Sequence, residues 1–250
     1  MAEITRLFST SRLEIGDALR LSEEDGNHIF KVLRAKTGDT VEVVDSTERL
    51  FVAELAGGRE ATIREERFTS RVMVGEATLY QAVPKGRHMD LVVEKATELG
   101  VDRIVPLSTE RGVVRLSEGD GKVRRWRRVA EAAARQSLRL RVPEVAEVVA
   151  FSEAAREVGE SGLILHNEPG LPSLEDAMSG HSGPLAVGLF VGPEGGWSDG
   201  ELALAREAGL FRASLGPYRL RSETAGMVAV ARARAVLEAE RRTKSVGRSA

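Results

Sequence analysis

The stretch LFVGPEGGWSDGE, from Leu189 to Glu201, carries most of the information about the fold. The apolar run at 185–191 is rich in strand-forming residues, which predicts a short buried strand. Ser198 and Glu201 have the spacing of a capping box, so a helix is expected at 199–208. A strand, a glycine loop and a capped helix place backbone N–H groups at the carboxyl edge of a sheet, where open α/β folds bind ligands. Alternatively, the loop is a tight connection that holds no ligand.

The glycine pattern differs from that of the common phosphate-binding loops. The chain has no G-x-x-x-x-G-K-[ST] motif here, and the spacing G-P-E-G-G is not G-x-G-x-x-G. Pro193 lacks a backbone donor, and the Glu194 carboxylate would repel a phosphate at short range. The loop therefore favours a neutral or cationic ligand held by backbone atoms. A nucleotide-dependent oxidoreductase is disfavoured for the same reason.

Length and composition limit the class of protein. A chain of 250 residues can bury a full core, and a formal net charge of −2 argues against a uniformly basic surface for nucleic acid. No apolar run is long enough to span a membrane and no signal peptide is evident, so no membrane association is expected. The absence of cysteine favours a cytoplasmic location. No metal is expected, because metal-site spacing is absent from the four histidines His28, His88, His166 and His181.

The pattern of the first 72 residues predicts a small β-barrel domain. Short alternating segments separated by turn residues are typical of such barrels. One helix is expected to interrupt the strands. The strands are expected at 40–45, 50–56 and 61–64, and the helix at 25–35.

From residue 73 onward, strand and helix patterns alternate. This alternation predicts a second domain over 73–243, with a parallel sheet covered on both faces. Residues 244–250 are expected to form a flexible tail. The expected strands are 77–83, 103–107, 162–166, 185–191 and 213–215, and the expected helices are 89–99, 121–140, 199–208 and 223–240.

Two of these helices carry further information. The segment 122–141 contains eight basic residues and one acidic residue, and four arginines are predicted to share one helical face: Arg124, Arg128, Arg135 and Arg139. Such a surface is either simply solvated or follows RNA phosphates. The last helix is apolar or small around its first three turns, which predicts burial on most sides.

Three stretches together resemble the cofactor signature of the knotted methyltransferases of the SPOUT class: LHN at 165–167, FVGPEGG at 190–196 and LGPYRLRSETA at 215–225. More narrowly, nearly the whole chain resembles the bacterial 16S ribosomal RNA uridine N3-methyltransferases, the RsmE family. Residues 27–39 resemble the PUA-like RNA-binding barrel of that family, and residues 85–111 resemble its K-G-x-x-M-[DE]…K-x-x-E-L-G stretch.

The chain departs from the family pattern at three positions. Arg135 replaces an acidic residue, Leu138 replaces a glycine, and Asn167 replaces a proline.

The resemblance implies a fold, a cofactor and partners. The implied fold is α/β, with a SPOUT-type parallel sheet and a trefoil knot, preceded by a PUA-like β-barrel. The implied cofactor is S-adenosylmethionine, the implied substrate is 16S ribosomal RNA within the small ribosomal subunit, and the implied assembly is a homodimer. The implied cofactor contacts are Leu165, His166, Gly192, Glu194, Gly195, Leu215, Gly216, Leu220 and Thr224.

The implied reaction needs help at uracil N3, which is a poor nucleophile while it is protonated. A positioned base or a fixed cation beside the developing anion would provide that help. We predict that Arg221 stabilises the uracil oxygens and that Glu223 accepts or orients the proton. The alternatives are a structural role for Arg221 and, for Glu223, a favourable interaction with the helix dipole.

Two basic clusters are predicted to hold the RNA. His28, Lys31 and Arg34 lie on or beside one helix of the first domain, and Arg135 and Arg139 lie on the arginine-rich helix. We expect the substrate to contact both clusters. A non-catalytic RNA-binding factor with the same fold is the alternative function.

Overall fold

The computed structural model describes residues 6–67, 75–112, 120–179 and 186–246. The chain divides into two compact units. Unit 1 comprises Met1–Val72 with Ala134–Arg141, and unit 2 comprises Met73–Ala133 with Val142–Ala250. The expected domain junction at 72–73, His181 and the expected strand start at Leu185 lie outside the described residues.

Unit 1 is built on a five-stranded sheet. Its elements are β1 (Arg6–Phe8), β2 (Ala18–Arg20), α1 (Glu23–Asn27), a π-helical turn (His28–Val32), β3 (Thr40–Val44), β4 (Leu50–Gly57) and β5 (Glu60–Arg67). The strand order is β1-β3-β4-β5-β2. β1 and β3 pair in parallel, whereas the other neighbours are antiparallel.

Alternating apolar residues of these strands form the core of unit 1. Val43 of β3 pairs with Phe51 of β4, and both side chains are fully buried together with Leu55 and Ile63. The three predicted strands are present, with ends that differ by up to three residues. The predicted helix at 25–35 is wrong in extent, because α1 passes into the π-helical turn and the turn ends at Val32.

Residues Ala134–Arg141 belong to unit 1 although they are distant from it in sequence. The Arg6 guanidinium pairs with the buried Glu42 carboxylate and also donates hydrogen bonds to the carbonyls of Leu138 and Arg139. A buried guanidinium needs several acceptors, and this segment provides two of them.

Unit 2 contains a sheet of seven parallel strands. Its elements are β6 (Glu76–Ala82), α2 (His88–Glu98), β7 (Arg103–Ser108), α3 (Asp120–Gln136, which ends in unit 1), β8 (Glu144–Val145), β9 (Val149–Ala150), α4 (Phe151–Val158), β10 (Gly162–Leu165), α5 (Leu174–Ser179), β11 (Ala186–Val191), α6 (Asp199–Glu207), β12 (Phe211–Ala213) and α7 (Ser222–Val246). The strand order is β12-β10-β11-β6-β7-β8, and β9 also pairs with β7.

The sheet of unit 2 is covered on both faces, as predicted. Leu189 and Val191 of β11 lie in an apolar cluster with residues of α2, α3, α5 and α7. Phe190, between them, lies in a second cluster with residues of α4 and α6, where it stacks on Tyr80 at a centroid distance of 4.4 Å. Because successive strand residues point to opposite faces, an uninterrupted apolar strand serves both layers.

Helix α7 is buried along its first half, which confirms the prediction for the last helix. It packs against α2, α5, β6 and β11, and its buried small residues include Gly226, Ala229 and Ala233. The helix continues to Val246, so the first three residues of the expected tail are helical. Residues 247–250 lie outside the described residues.

Two predicted boundaries in unit 2 are wrong for identifiable reasons. α3 ends at Gln136 rather than at 140, because Leu138 adopts a left-handed conformation with φ of 55°. β12 lies at Phe211–Ala213 rather than at 213–215, because the backbone N–H of Ser214 turns to the carbonyl of Pro172, at 2.9 Å. Every described helix is too short or too polar to cross a membrane.

Candidate functional site

The carboxyl ends of three neighbouring strands meet at one edge of the unit 2 sheet. Leu165 at the end of β10 pairs with Val191 of β11 on one side and with Ala213 of β12 on the other. The loops that follow enclose an open cavity of about 460 Å³, lined by residues 165–167, 191–194, 196–197, 214–216, 218–222 and 225. Both the size and the position are typical of a small-molecule site in an open α/β sheet.

The cavity contains most of the predicted cofactor residues. Gly195 and Thr224 are not part of its lining. The predicted residues that do line it are Leu165, His166, Gly192, Glu194, Leu215, Gly216 and Leu220.

Trp197 forms part of the cavity wall and explains the glycine at 192. Its indole Nε1 donates a hydrogen bond to the Leu165 carbonyl at 3.0 Å, and its side chain is buried. A Cβ atom at Gly192 would lie 3.0 Å from Cε2 of this indole, so any larger residue would displace the ring. Trp197 directly precedes the capping box of Ser198 and Glu201, which the structure confirms.

Gly195 faces Arg111 and does not line the cavity. A Cβ at this position would lie 3.2 Å from Cβ of Arg111. The Arg111 guanidinium donates to the carbonyls of Gly195 and Trp197, at 3.2 and 3.0 Å. The described contacts therefore explain this glycine by the close approach of Arg111, and a cofactor contact at Gly195 stays a prediction.

Glu194 organises its own loop. Its carboxylate accepts a hydrogen bond from the backbone N–H of Lys85 at 3.1 Å, and its carbonyl accepts one from the Arg219 guanidinium at 3.3 Å. The loop after β6 and the loop before α7 are thus both attached to the glycine-rich loop.

Arg232 of α7 binds the third loop of the cavity, which runs from β12 to α7. Arg232 pairs with Glu175 and donates to the Leu215 carbonyl at 2.8 Å. Within the described residues, the backbone N–H groups of Leu215 and Leu220 donate no hydrogen bond. Both residues line the cavity.

A buried hydrogen-bond chain connects β6 to the glycine-rich loop. Nε2 of Gln81 donates to Oγ of Ser222 at 2.9 Å, and Oγ of Ser222 donates to the Gly192 carbonyl at 2.6 Å. Gln81 is fully buried, and its Oε1 has no partner among the described residues. Sequence analysis missed Gln81, although a glutamine inside an apolar strand is itself a signal.

The two predicted catalytic residues occupy different environments. Arg221 lines the cavity and is exposed. Glu223 is buried in the first turn of α7, does not line the cavity, and lies 3.6 Å from Nδ1 of the half-exposed His88. Thr224 is partly buried on the same turn.

His166 is the titratable group whose environment in the cavity favours the neutral form. Burial lowers the pKa of His166, and the nearby charge of Arg212 lowers it further. Glu168 opposes this effect but is itself paired with Arg212. The described residues contain no group of three acidic or histidine side chains that could hold a metal ion.

The predicted RNA-binding residues of the first cluster are all exposed. His28 and Lys31 lie on the π-helical turn, and Arg34 follows it with φ of 58°. Their side chains are therefore accessible to a polyanion.

The second predicted cluster is engaged inside unit 1. Arg135 pairs with Asp25, and Arg139 is partly buried. This burial lowers the pKa of Arg139 to about 10. Arg139 also lies beyond the end of α3, so its predicted place on the helical face is wrong. The left-handed Leu138 turns the chain at the position where the family resemblance has glycine, the residue that adopts this conformation without strain.

Comparison with known proteins identifies two domains. Residues 72–234 match the model of the RNA methyltransferase domain, and residues 21–66 match that of the RNA methyltransferase PUA domain. The first match spans all the loops of the cavity.

Relatives of known type cover almost the whole chain. "Ribosomal RNA small subunit methyltransferase E" of Mycobacterium bovis is 33% identical, over 91% of this chain and 90% of that protein. The protein of the same name from Synechocystis is 32% identical, over 85% and 71%. The crystal structure of the Neisseria gonorrhoeae protein of this name, bound to S-adenosylmethionine, superposes with a TM-score of 0.82 at 28% identity, over 94% and 98% of the two chains. The chain therefore belongs to the RNA methyltransferase family, among the ribosomal RNA small subunit methyltransferase E proteins.

Proposed function

We propose that this protein transfers a methyl group from S-adenosylmethionine to N3 of a uridine in the 16S ribosomal RNA of the small subunit. The observation that carries the proposal is the cavity at the ends of β10, β11 and β12, in a chain whose solved relative binds this cofactor. The choice of uridine N3 rests on the resemblance to the RsmE family.

The chemistry of the cavity fits the proposed cofactor. Glycine at 192 keeps the wall flat against Trp197, and the free N–H groups of Leu215 and Leu220 suit an uncharged heterocycle held by backbone atoms. The Glu194 carboxylate in the cavity lining suits a sulfonium cation better than a phosphate. When bound, S-adenosylmethionine supplies the activated methyl group.

Arg221 is proposed to act on the uracil itself. Removal of the N3 proton places negative charge on the two neighbouring oxygens, and a fixed guanidinium beside them stabilises that charge. The exposure of Arg221 at the cavity leaves its charge available to a substrate.

Glu223 is proposed to accept or orient the N3 proton. Its carboxylate is buried on α7, and His88 is the neighbouring group that reaches solvent.

The proposed domain roles follow the two matched families. Residues 1–72 would bind RNA, with His28, Lys31 and Arg34 as exposed contacts and Arg135 and Arg139 as further contacts, and residues 73–243 would carry the catalytic site. We also propose a trefoil knot and a homodimer. The small, buried residues of α7 support close packing of the chain around this helix. The proposed substrate places the action of the protein in the cytoplasm.

A reconstituted methylation reaction tests the proposal. Small subunits from a strain that lacks the enzyme should gain one methyl group at a uridine N3, detected by nuclease digestion and mass spectrometry. Arg221→Ala should lower the rate at saturating cofactor by about 10²–10³-fold, as expected when one group that stabilises a developing anion is removed. Cofactor binding without methylation of any ribosomal RNA would refute the proposed function and favour the non-catalytic alternative.

A further inference from the structure

Tyr218 is the most exposed large hydrophobic side chain of the described residues. Its exposed fraction is 81%, although it lines the cavity formed by the three loops. Its side chain takes part in no hydrogen bond or ring contact with the described residues. An aromatic ring left open at the edge of a binding cavity is a surface on which a planar group can stack.

The charges around Tyr218 favour a nucleotide as that planar group. Arg219 follows it directly and Arg221 is two residues beyond, and both side chains are exposed. Lys85, also exposed, comes from another loop, and its backbone N–H binds the cavity-lining Glu194 at 3.1 Å. Lys85, Arg219 and Arg221 form no ion pair with the described residues, in contrast with Arg232, which pairs with Glu175. A cationic rim beside an open ring suits a base with its phosphates.

The chemistry of the reaction requires such a surface. An enzyme that acts on the edge of a base must hold that base outside its stack. Proteins hold unstacked RNA bases on aromatic side chains and bind the flanking phosphates with cations. Within the described residues, two other ring side chains line the cavity. Trp197 is buried and bonded to Leu165, and His166 is partly buried.

We propose that Tyr218 is the platform on which the target uracil stacks, and that Lys85 and Arg219 contact the flanking phosphates. This inference rests on the proposed function and adds the residue that holds the base. Stacking depends on the ring and not on the hydroxyl group. Phenylalanine at this position should therefore replace tyrosine, whereas leucine, which is apolar but not aromatic, should not.

Three variants test the proposal: Tyr218→Phe, Tyr218→Leu and Tyr218→Ala. The probe is a short fluorescent single-stranded RNA that contains uridine, titrated in the presence of S-adenosylmethionine, together with methylation kinetics on small subunits. Tyr218→Leu and Tyr218→Ala should weaken RNA binding by about 5- to 150-fold, the loss expected for one stacked base. Tyr218→Phe should bind as the wild type does. Phe211→Ala is the matched control, because Phe211 is also an exposed aromatic of unit 2 but lies outside the cavity lining.

Calorimetry with the cofactor tests whether Tyr218 covers the cofactor, and light scattering tests whether it belongs to an interface between protein copies. Unchanged cofactor affinity and an unchanged oligomeric state support the stacking role. Loss of cofactor affinity in Tyr218→Ala would make Tyr218 a cover for the cofactor, and dissociation of an oligomer would make it an interface residue, and each result overturns the proposal. If all three variants methylate and bind RNA as the wild-type protein does, the stacking role of Tyr218 is refuted and the proposed function stands. If the wild-type protein itself does not methylate the small subunits, the proposed function is refuted.

Discussion

Replacement of Gly226 by alanine should destabilise this protein, although the same change stabilises most helices. A Cβ atom at Gly226 would collide with Oε1 of Gln81. The Gln81 amide cannot move away freely, because its Nε2 donates to Oγ of Ser222 at 2.9 Å and to the Ala82 carbonyl at 3.1 Å in a fully buried position. The collision should therefore displace the amide and break the chain of hydrogen bonds that ends at the Gly192 carbonyl.

The expected magnitude follows from three opposing effects. Alanine improves the helix by about 1 kcal/mol, overpacking costs about 1–3 kcal/mol, and an unpaired buried amide costs about 1–3 kcal/mol. The net loss of stability for Gly226→Ala should be about 1–5 kcal/mol. In the Gln81→Ala background the collision is absent, so the same substitution should be neutral or should stabilise by up to about 1 kcal/mol.

Urea denaturation of the wild type, Gly226→Ala, Gln81→Ala and the double variant measures the effect directly. Calorimetry with S-adenosylmethionine shows whether the substitution changes the affinity for the cofactor. Gly121→Ala is the control, since Gly121 lies in α3 and a Cβ there would meet no atom within 4 Å. Gly121→Ala should raise the midpoint of urea denaturation. The reasoning is refuted if Gly226→Ala raises this midpoint as well in the wild-type background. It is also refuted if the loss is the same with and without Gln81.

Three other predictions concern charged groups. Arg234→Met should cost about 3–5 kcal/mol in urea denaturation, because it leaves the Asp102 carboxylate, whose side chain is only 10% exposed, without its cation. An added Asp102→Asn should restore part of the loss. Burial and then Arg212 lower the pKa of His166, so the folded protein binds a proton at His166 less readily than the unfolded chain does. The free energy of unfolding should therefore fall as the pH drops below about 6.5. His166→Asn should make denaturation midpoints less dependent on pH in this range. In RNA-binding titrations, Lys31→Ala/Arg34→Ala should reduce the slope of log affinity against log salt by roughly one for each phosphate that is no longer neutralised, with an unchanged melting temperature. Arg135→Ala/Arg139→Ala should reduce this slope and also lower the melting temperature, because Arg135 pairs with Asp25. Wild-type affinity and slope in both double variants would show that neither cluster binds RNA.

The parts of the fold that sequence analysis predicted depend on short-range patterns. The apolar run ending at Val191 and the capping box of Ser198 and Glu201 are contiguous signals, and the structure contains both the strand and the capped helix. The two-residue strands β8 and β9 and the three-residue strands β1 and β2 are too short to show a periodicity. Helices α4 and α5 were also missed, and each has fewer than nine residues.

The residues in and around the candidate site that sequence analysis missed depend mostly on contacts between distant parts of the chain. Gln81 and Ser222 are 141 positions apart, and Arg111 reaches Gly195 across 84 positions. A single sequence contains no signal for such pairs, because the partner is selected by the sheet order and not by local spacing. Tyr218 was missed for a different reason. It is an ordinary loop residue in sequence, and only its exposure beside the cavity distinguishes it.

The arginine-rich run at 122–141 shows how one sequence pattern divides into two structural roles. A continuous helix would have placed Arg128, Arg135 and Arg139 on one face, but α3 ends at Gln136 and Leu138 turns the chain. Arg128 remains exposed, whereas Arg139 is partly buried in unit 1. A partly buried guanidinium offers less accessible surface to a phosphate than an exposed one does. The electrostatic attraction of RNA should therefore depend more on exposed cations such as Lys31 than on Arg139, which should contribute a weaker contact and also stabilise unit 1.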